Sequence, residues 1–143
     1  MPVTLTYVIP PFIGVLGQVT VAAPTSLGID NSQHQSGEAT VTPDGPTGIK
    51  VSPGSVALNV RIQDGSRGIY YPVGLAVQPV TGGVRVPTTV FPVANVSPSD
   101  NTTIQLTDNS AAGAGSYEFV VLFQAPNSNF GWLDPRIAND SSR

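Results

Sequence analysis

Ser55-Val56-Ala57-Leu58-Asn59-Val60-Arg61-Ile62-Gln63 decides the fold class. Apolar residues fall at every second position, and a strand turns successive side chains to opposite faces, so Val56, Leu58, Val60 and Ile62 share one face. Ala57, Asn59, Arg61 and Gln63 share the other. The pattern predicts a strand buried on one side. Asp64-Gly65-Ser66-Arg67-Gly68 follows as a turn cluster, and Ile69 to Gln78 resumes an extended pattern with Tyr70, Tyr71, Val73, Leu75 and Val77. The two segments read together as a hairpin.

Working outward, the same alternation or a β-rich run bounded by turn residues marks Val3 to Ile9, Gly17 to Ala23, Glu38 to Thr42, Val84 to Phe91, Thr103 to Thr107, Ser116 to Gln124 and Gly131 to Leu133. In Ser116 to Gln124, Tyr117, Phe119, Val121 and Phe123 share one face while Val120 and Leu122 partly line the other, as in a strand placed mid-sheet. Pro87, Pro92 and Pro98 remove ladder donors around Val84 to Phe91 and suit an edge strand. Thr25 to Gly54, the most polar and Gly/Pro-rich stretch, reads as the longest loop region with one short strand.

The whole chain, 1–143, reads as a single β-sandwich domain. Composition agrees. Gly 15 and Pro 14, with one Lys and two Glu, leave no sequence for long helices. The expectation is an antiparallel sandwich of about eight or nine strands, with a jelly roll or barrel as the alternative.

Charge and cysteine content remove several function classes. With no cysteine there is no disulfide scaffold, thiolate metal site or thiol nucleophile. A net charge of −3 with six scattered cations offers no basic stripe for phosphates, so nucleic acid is not expected as a partner. No apolar run reaches membrane-spanning length, and Met1 to Ala23 lacks an early Lys or Arg and is broken by Pro10-Pro11. Neither a signal peptide nor a membrane partner is expected, and the cytoplasm is the default location.

Two resemblances follow from the residues themselves. Thr103-Ile104-Gln105-Leu106-Thr107-Asp108, a short loop, then Gly115-Ser116-Tyr117-Glu118-Phe119 resembles the E strand, corner and F strand of immunoglobulin-like domains. In that family a Tyr at the start of F bonds back to the corner, and Tyr117 would be that residue. The resemblance runs from Ser55 to Gln124, lacks the cysteines and the C-strand tryptophan of antibody domains, and implies architecture without a binding role. Phe119 to Phe123, followed by Phe130-Gly131-Trp132-Leu133-Asp134-Pro135-Arg136-Ile137 and Asn139, is similar to the uncharacterised bacterial DP-EP family, which would imply a bacterial single-domain β protein of unknown function.

Candidate chemistry is sparse. His34, the only histidine, sits in a polar loop and reads as solvated, and Gly65-Ser66-Arg67-Gly68 is not a nucleophile elbow. Glu118 lies mid-strand but alternates with the core face, so it reads as an outward residue near Arg61 or Arg85. Asp64, Asp100, Asp108 and Asp140 precede Gly, Asn or Ser and read as turn residues. Asp100-Asn101 and Asp108-Asn109 flank one strand and offer oxygens to calcium, without EF-hand spacing. No catalytic residue, metal site or cofactor is expected. Trp132, Asp134 and Arg136, with Tyr70 and Tyr71, form the candidate ligand-binding set. The alternative is that Trp132 and Leu133 cap the core while Asp134-Pro135 turns the chain out.

The reading is a non-catalytic structural or protein-binding module that self-associates through an edge strand or an uncharged sheet face. Outward strand positions carry Thr, Ser, Gln, Asn and Ala, which lose water cheaply in an interface. Binding of a carbohydrate or small ligand by Trp132 with Tyr70 or Tyr71 is the alternative.

Overall fold

A computed structural model describes residues 3–10, 19–66, 68, 70–80, 90–91, 95–96, 101–125 and 130–140. The alternation that begins at Val3 forms β1 (Val3–Ile9), followed by β2 (Val19–Val21), β3 (Ser26–Asp30), β4 (Val41–Asp44), β5 (Gly48–Val51) and β6 (Ser55–Asp64). The second half of the chain supplies β7 (Tyr71–Pro79), β8 (Asn95–Val96), β9 (Ile104–Asn109), β10 (Gly115–Gln124), β11 (Phe130–Leu133) and β12 (Arg136–Asn139), with one 3-10 turn at Ser110–Ala112. The result is an all-β sandwich of two sheets.

The first sheet runs β3-β1-β6-β9-β8. The second runs β2-β11-β10-β12-β5-β4, with β7 on the free side of β10. Both are mixed rather than purely antiparallel, because β1 pairs β6, β11 pairs β2 and β12 pairs β5 in parallel. These parallel pairs join segments distant in sequence, which no local turn signal announces.

The core lies between the sheets. Val56, Leu58, Val60 and Ile62 are all buried, as their alternation requires, and they meet Tyr117, Phe119, Val121 and Phe123 of β10 in one cluster. Tyr7 packs edge-on against Phe119 with ring centroids 6.1 Å apart. Its hydroxyl is buried with no partner, and burial pushes its pKa up.

Several expectations are corrected. Ser55–Gln63 and Ile69–Gln78 do not form a hairpin: β6 and β7 lie in different sheets. Two rungs form, Asp64 N–H to Gly68 O at 3.0 Å and Tyr70 N–H to Ile62 O at 3.2 Å, and then the chain crosses over. The Asp64 carboxylate holds this corner, accepting from the Ser66 and Gly68 amides and from the Tyr70 hydroxyl. Thr25 to Gly54 contains three strands, not one. Val84 to Phe91, with Pro87, and the flanking Pro92 and Pro98 lie outside the described residues, apart from Val90 and Phe91, which are buried.

Candidate functional site

β10 organises the second sheet, and its partner on one side is in effect a single strand. Gln124 pairs Phe130, Val121 pairs Leu133, Glu118 pairs Arg136 and Gly115 pairs Asn139, so β11 and β12 keep one continuous register. The chain therefore does not turn out at Asp134-Pro135. Phe119 N–H donates to Pro135 O at 3.0 Å, and the proline ring, lacking an N–H, cannot return the bond. The ladder is interrupted there and resumes.

Residues paired across a ladder point to the same face, which fixes what the outer face carries. One end has Val19 and Val21 of β2, Phe130 and Trp132 of β11, Leu122 and Val120 of β10, and Tyr71 and Ala76 of β7. A bulge between Leu122 and Phe123 inserts Val73. Val19, Val21, Tyr71 and Val73 are 57%, 59%, 43% and 50% exposed, the large hydrophobic residues most open to solvent among those described. All four stand on this sheet, and Trp132, Phe130 and Leu122 lie half-buried between them.

The other end of the same face is polar. Gln78, Glu118 and Arg136 form one rung, with Gln78 Nε2 donating to Glu118 Oε1 at 3.1 Å. Glu118 thus neighbours Arg136 and Gln78 rather than Arg61, which lies on the first sheet. Arg85 is outside the described residues. Trp132, Asp134 and Arg136 are successive outward positions on one strand line, and Tyr71 lies on the same face. Tyr70 does not join them: it is buried, with its ring 5.5 Å from Phe123 and its hydroxyl on Asp64.

Val19 and Val21 are the site residues that sequence reasoning missed. Gly17 to Ala23 reads as a strand, with no signal for which of its faces lies inside. In the structure Thr20 pairs the buried Gly131 and the valines face out. A two-residue period fixes which residues share a face and not which face is inside.

A second polar cluster lies inside the sandwich. Asp108 is not a turn residue but an inward position of β9, fully buried. Its Oδ1 accepts from Asn139 Nδ2 at 2.9 Å, a bond that joins the two sheets. Asn139 Nδ2 also reaches Gly113 O at 3.1 Å. Asp108 Oδ2 and Asn139 Oδ1 have no partner. Burial raises the Asp108 carboxyl to about 7, against the opposing effect of the Asn139 bond. The Tyr117 hydroxyl donates weakly to Gly113 O and Ala114 O at 3.4 and 3.5 Å, and its pKa is raised by burial and by the Asp108 charge. Asp108, one of the oxygens offered to calcium, is thus turned into the core, and Asp100 lies outside the described residues.

His34 is half-buried rather than solvated. Its Nε2 lies 2.9 Å from Ala39 O, in a pocket of about 320 Å3 lined by Asn31, His34, Thr40, Val41 and Thr42. A carbonyl only accepts, so Nε2 carries the proton. Among the described residues no group of three or more His, Cys, Asp or Glu is arranged to hold a metal, and no helix is long and apolar enough to cross a membrane.

Among solved structures, the chain is similar to the crystal structure of an inclusion body protein, PixA, from Burkholderia cenocepacia J2315. The TM-score is 0.53 and the identity 14%, over 97% of this chain and 95% of that one. At that identity the likeness speaks for the fold alone. No protein-family model matches the chain, so the DP-EP resemblance gains no support there. No curated protein matches it either.

Proposed function

We propose that this chain is a non-catalytic β-sandwich module, structural or protein-binding, that self-associates through the outer face of its second sheet. One observation carries the reading: the most exposed large hydrophobic residues stand together on one sheet face around Trp132. A contiguous apolar patch on a sheet marks an interaction surface more often than an idle one.

The polar residues support the non-catalytic part. Asp108 is sealed from solvent inside the sandwich, and the Nε2 proton of His34 is held by a backbone carbonyl. The solved neighbour is described as an inclusion body protein, a description in keeping with a fold that serves self-association. The immunoglobulin-like reading belongs here too: β6-β9-β8 in one sheet, β7-β10-β11/β12 in the other and the Tyr117 corner follow the B-E-D and C-F-G order of that fold. The parallel placement of β1 beside β6 departs from it.

A carbohydrate platform is the second reading, favoured by Trp132 and Tyr71 lying outward on one face, and weakened by the loss of Tyr70 to the core. Sedimentation velocity across the micromolar range, with and without Trp132→Asp, separates the two. Self-association lost in the variant supports the module; a wild-type monomer at high micromolar concentration removes it.

A further inference from the structure

The outer face of the second sheet is laid out in rungs whose members complement one another, and this decides how a second copy would sit on it. Leu122 pairs Trp132, Gln124 pairs Phe130, and Glu118 pairs Arg136. We infer that two copies stack face to face about a two-fold axis parallel to the strands, running between β10 and the β11–β12 line. The inference rests on the self-associating reading above and names its geometry.

Such an axis carries every residue of β10 opposite its own rung partner on the other copy, since in an isologous contact residue i meets j and j meets i. Leu122 then faces Trp132, and Glu118 of each copy faces Arg136 of the other. β7 faces β2, so Tyr71 meets Val19, and Val21 meets Gly74, where a Cβ would find nothing within 4 Å. That gap receives the valine.

An axis running across the strands through the same centre does worse. It lays the charged rung of one copy on the apolar end of the other, so Arg136 covers Phe130 and Glu118 covers Gln124. Both charges lose water without meeting an opposite charge. Charge therefore selects the parallel axis. Aligned sheet packing at about 30° keeps the rungs nearest the axis in register.

Fourteen outward positions, four on each of β7, β10 and the β11–β12 line and two on β2, with strands about 4.8 Å apart and outward residues about 6.8 Å apart, span roughly 460 Å2 per copy. A pair buries about 900 Å2, the size of a weak contact, so the expected association is micromolar. Asp134, exposed on the free chain, stands within this surface between Trp132 and Arg136, where the parallel axis sets it opposite Val120 of the other copy and the transverse axis opposite Trp132. With Glu118 and Arg136 it leaves each copy one negative charge in excess, a built-in brake on affinity.

The test is charge reversal in trans. Glu118→Arg and Arg136→Glu each set like charges across the axis, and each is expected to weaken self-association about tenfold. Mixed in equal amounts, the two variants should form a heterodimer within about threefold of wild-type affinity, because every introduced charge then meets its opposite on the other chain. A role confined to one chain cannot be rescued in this way. Asp134→Asn gives an independent reading: removing the excess charge should tighten the wild-type pair about threefold. No recovery on mixing, or weaker association of Asp134→Asn, overturns the two-fold arrangement. If Trp132→Asp still abolishes association in that case, the face survives and only its geometry fails; a monomeric wild type removes both.

Discussion

β11 and β12 are halves of one strand line with opposite characters. They share a partner, β10, and one register. The β11 half is apolar on both faces, with Leu133 in the core and Trp132 outside, whereas the β12 half sends Arg136 out and Asn139 in to Asp108. Backbone pairing is thus indifferent to the division, which side chains alone create. One half offers surface that gains by being covered; the other carries polar side chains on both faces, Arg136 outside and Asn139 bonded to Asp108 within.

The largest effect should come from the inner side of the β12 half. The Asp108 carboxyl titrates near 7 in the fold against an ordinary 3.8. The folded state then holds the proton more tightly than the unfolded chain. Its contribution is fully present below pH 4 and is lost as pH rises through about 7, a span of roughly 4 kcal/mol. Denaturant unfolding at a series of pH values should show this decline in the wild type and its absence in Asp108→Asn. Asp30, Glu38 and Asp64, whose pKa values are lowered chiefly by backbone N–H bonds, contribute with the opposite sign, their stabilisation being lost as pH falls. An identical slope in both proteins would show that Asp108 is not charged at the cost of folding, and the contrast between the halves would shrink to their outer faces.

Next in size is the outer side of the β11 half. Trp132→Asp should weaken self-association at least about thirtyfold, or about 2 kcal/mol, as loss of a central aromatic anchor does. Thr6→Asp is the matching change on the outer face of the first sheet, whose outward positions include Thr4, Thr6, Asn59 and Gln105. Asn59 and Gln105 already bond to each other across their strands. That variant should leave association unchanged in the same sedimentation experiment. Equal losses would mean that low charge, and not the apolar patch, drives association.

How far these regions were legible in sequence follows from the range of the interactions that make them. Val3–Ile9 is read to the residue, and the cores of β6 and β10 likewise, because burial on one face writes a two-residue period into the chain. β3, β5 and β12 escape. Each is short, carries Gly or follows Pro, and two of them lie in parallel pairs formed with distant segments: β5 and β12 with each other. Asp108 escapes for another reason: an Asp before Asn signals a turn locally, and only Asn139, 31 residues on, makes its burial tolerable. The outward line of Trp132, Asp134 and Arg136 was readable from spacing. Its join to Val19 and Val21 was not, since alternation alone does not say which face is wet.

The smallest expected effect tests the boundary itself. In an antiparallel hydrogen-bonded pair two residues exchange two bonds; Phe119 and Pro135 exchange one, N–H of Phe119 to O of Pro135. Pro135→Ala supplies the missing donor, worth about 1 kcal/mol, and gives up the proline's restriction of the unfolded chain, worth about 0.4–1 kcal/mol. Net stability should move by less than about 1 kcal/mol. Amide exchange is the sharper readout, since the new N–H at position 135 should be protected to the level of its neighbours as the two ladders fuse. Self-association should stay at the wild-type level, because the rows of side chains on the outer face keep their register. If fusing the ladders instead weakened association, the proline would be shaping the surface through the backbone, and the division between the halves would no longer rest on side chains alone.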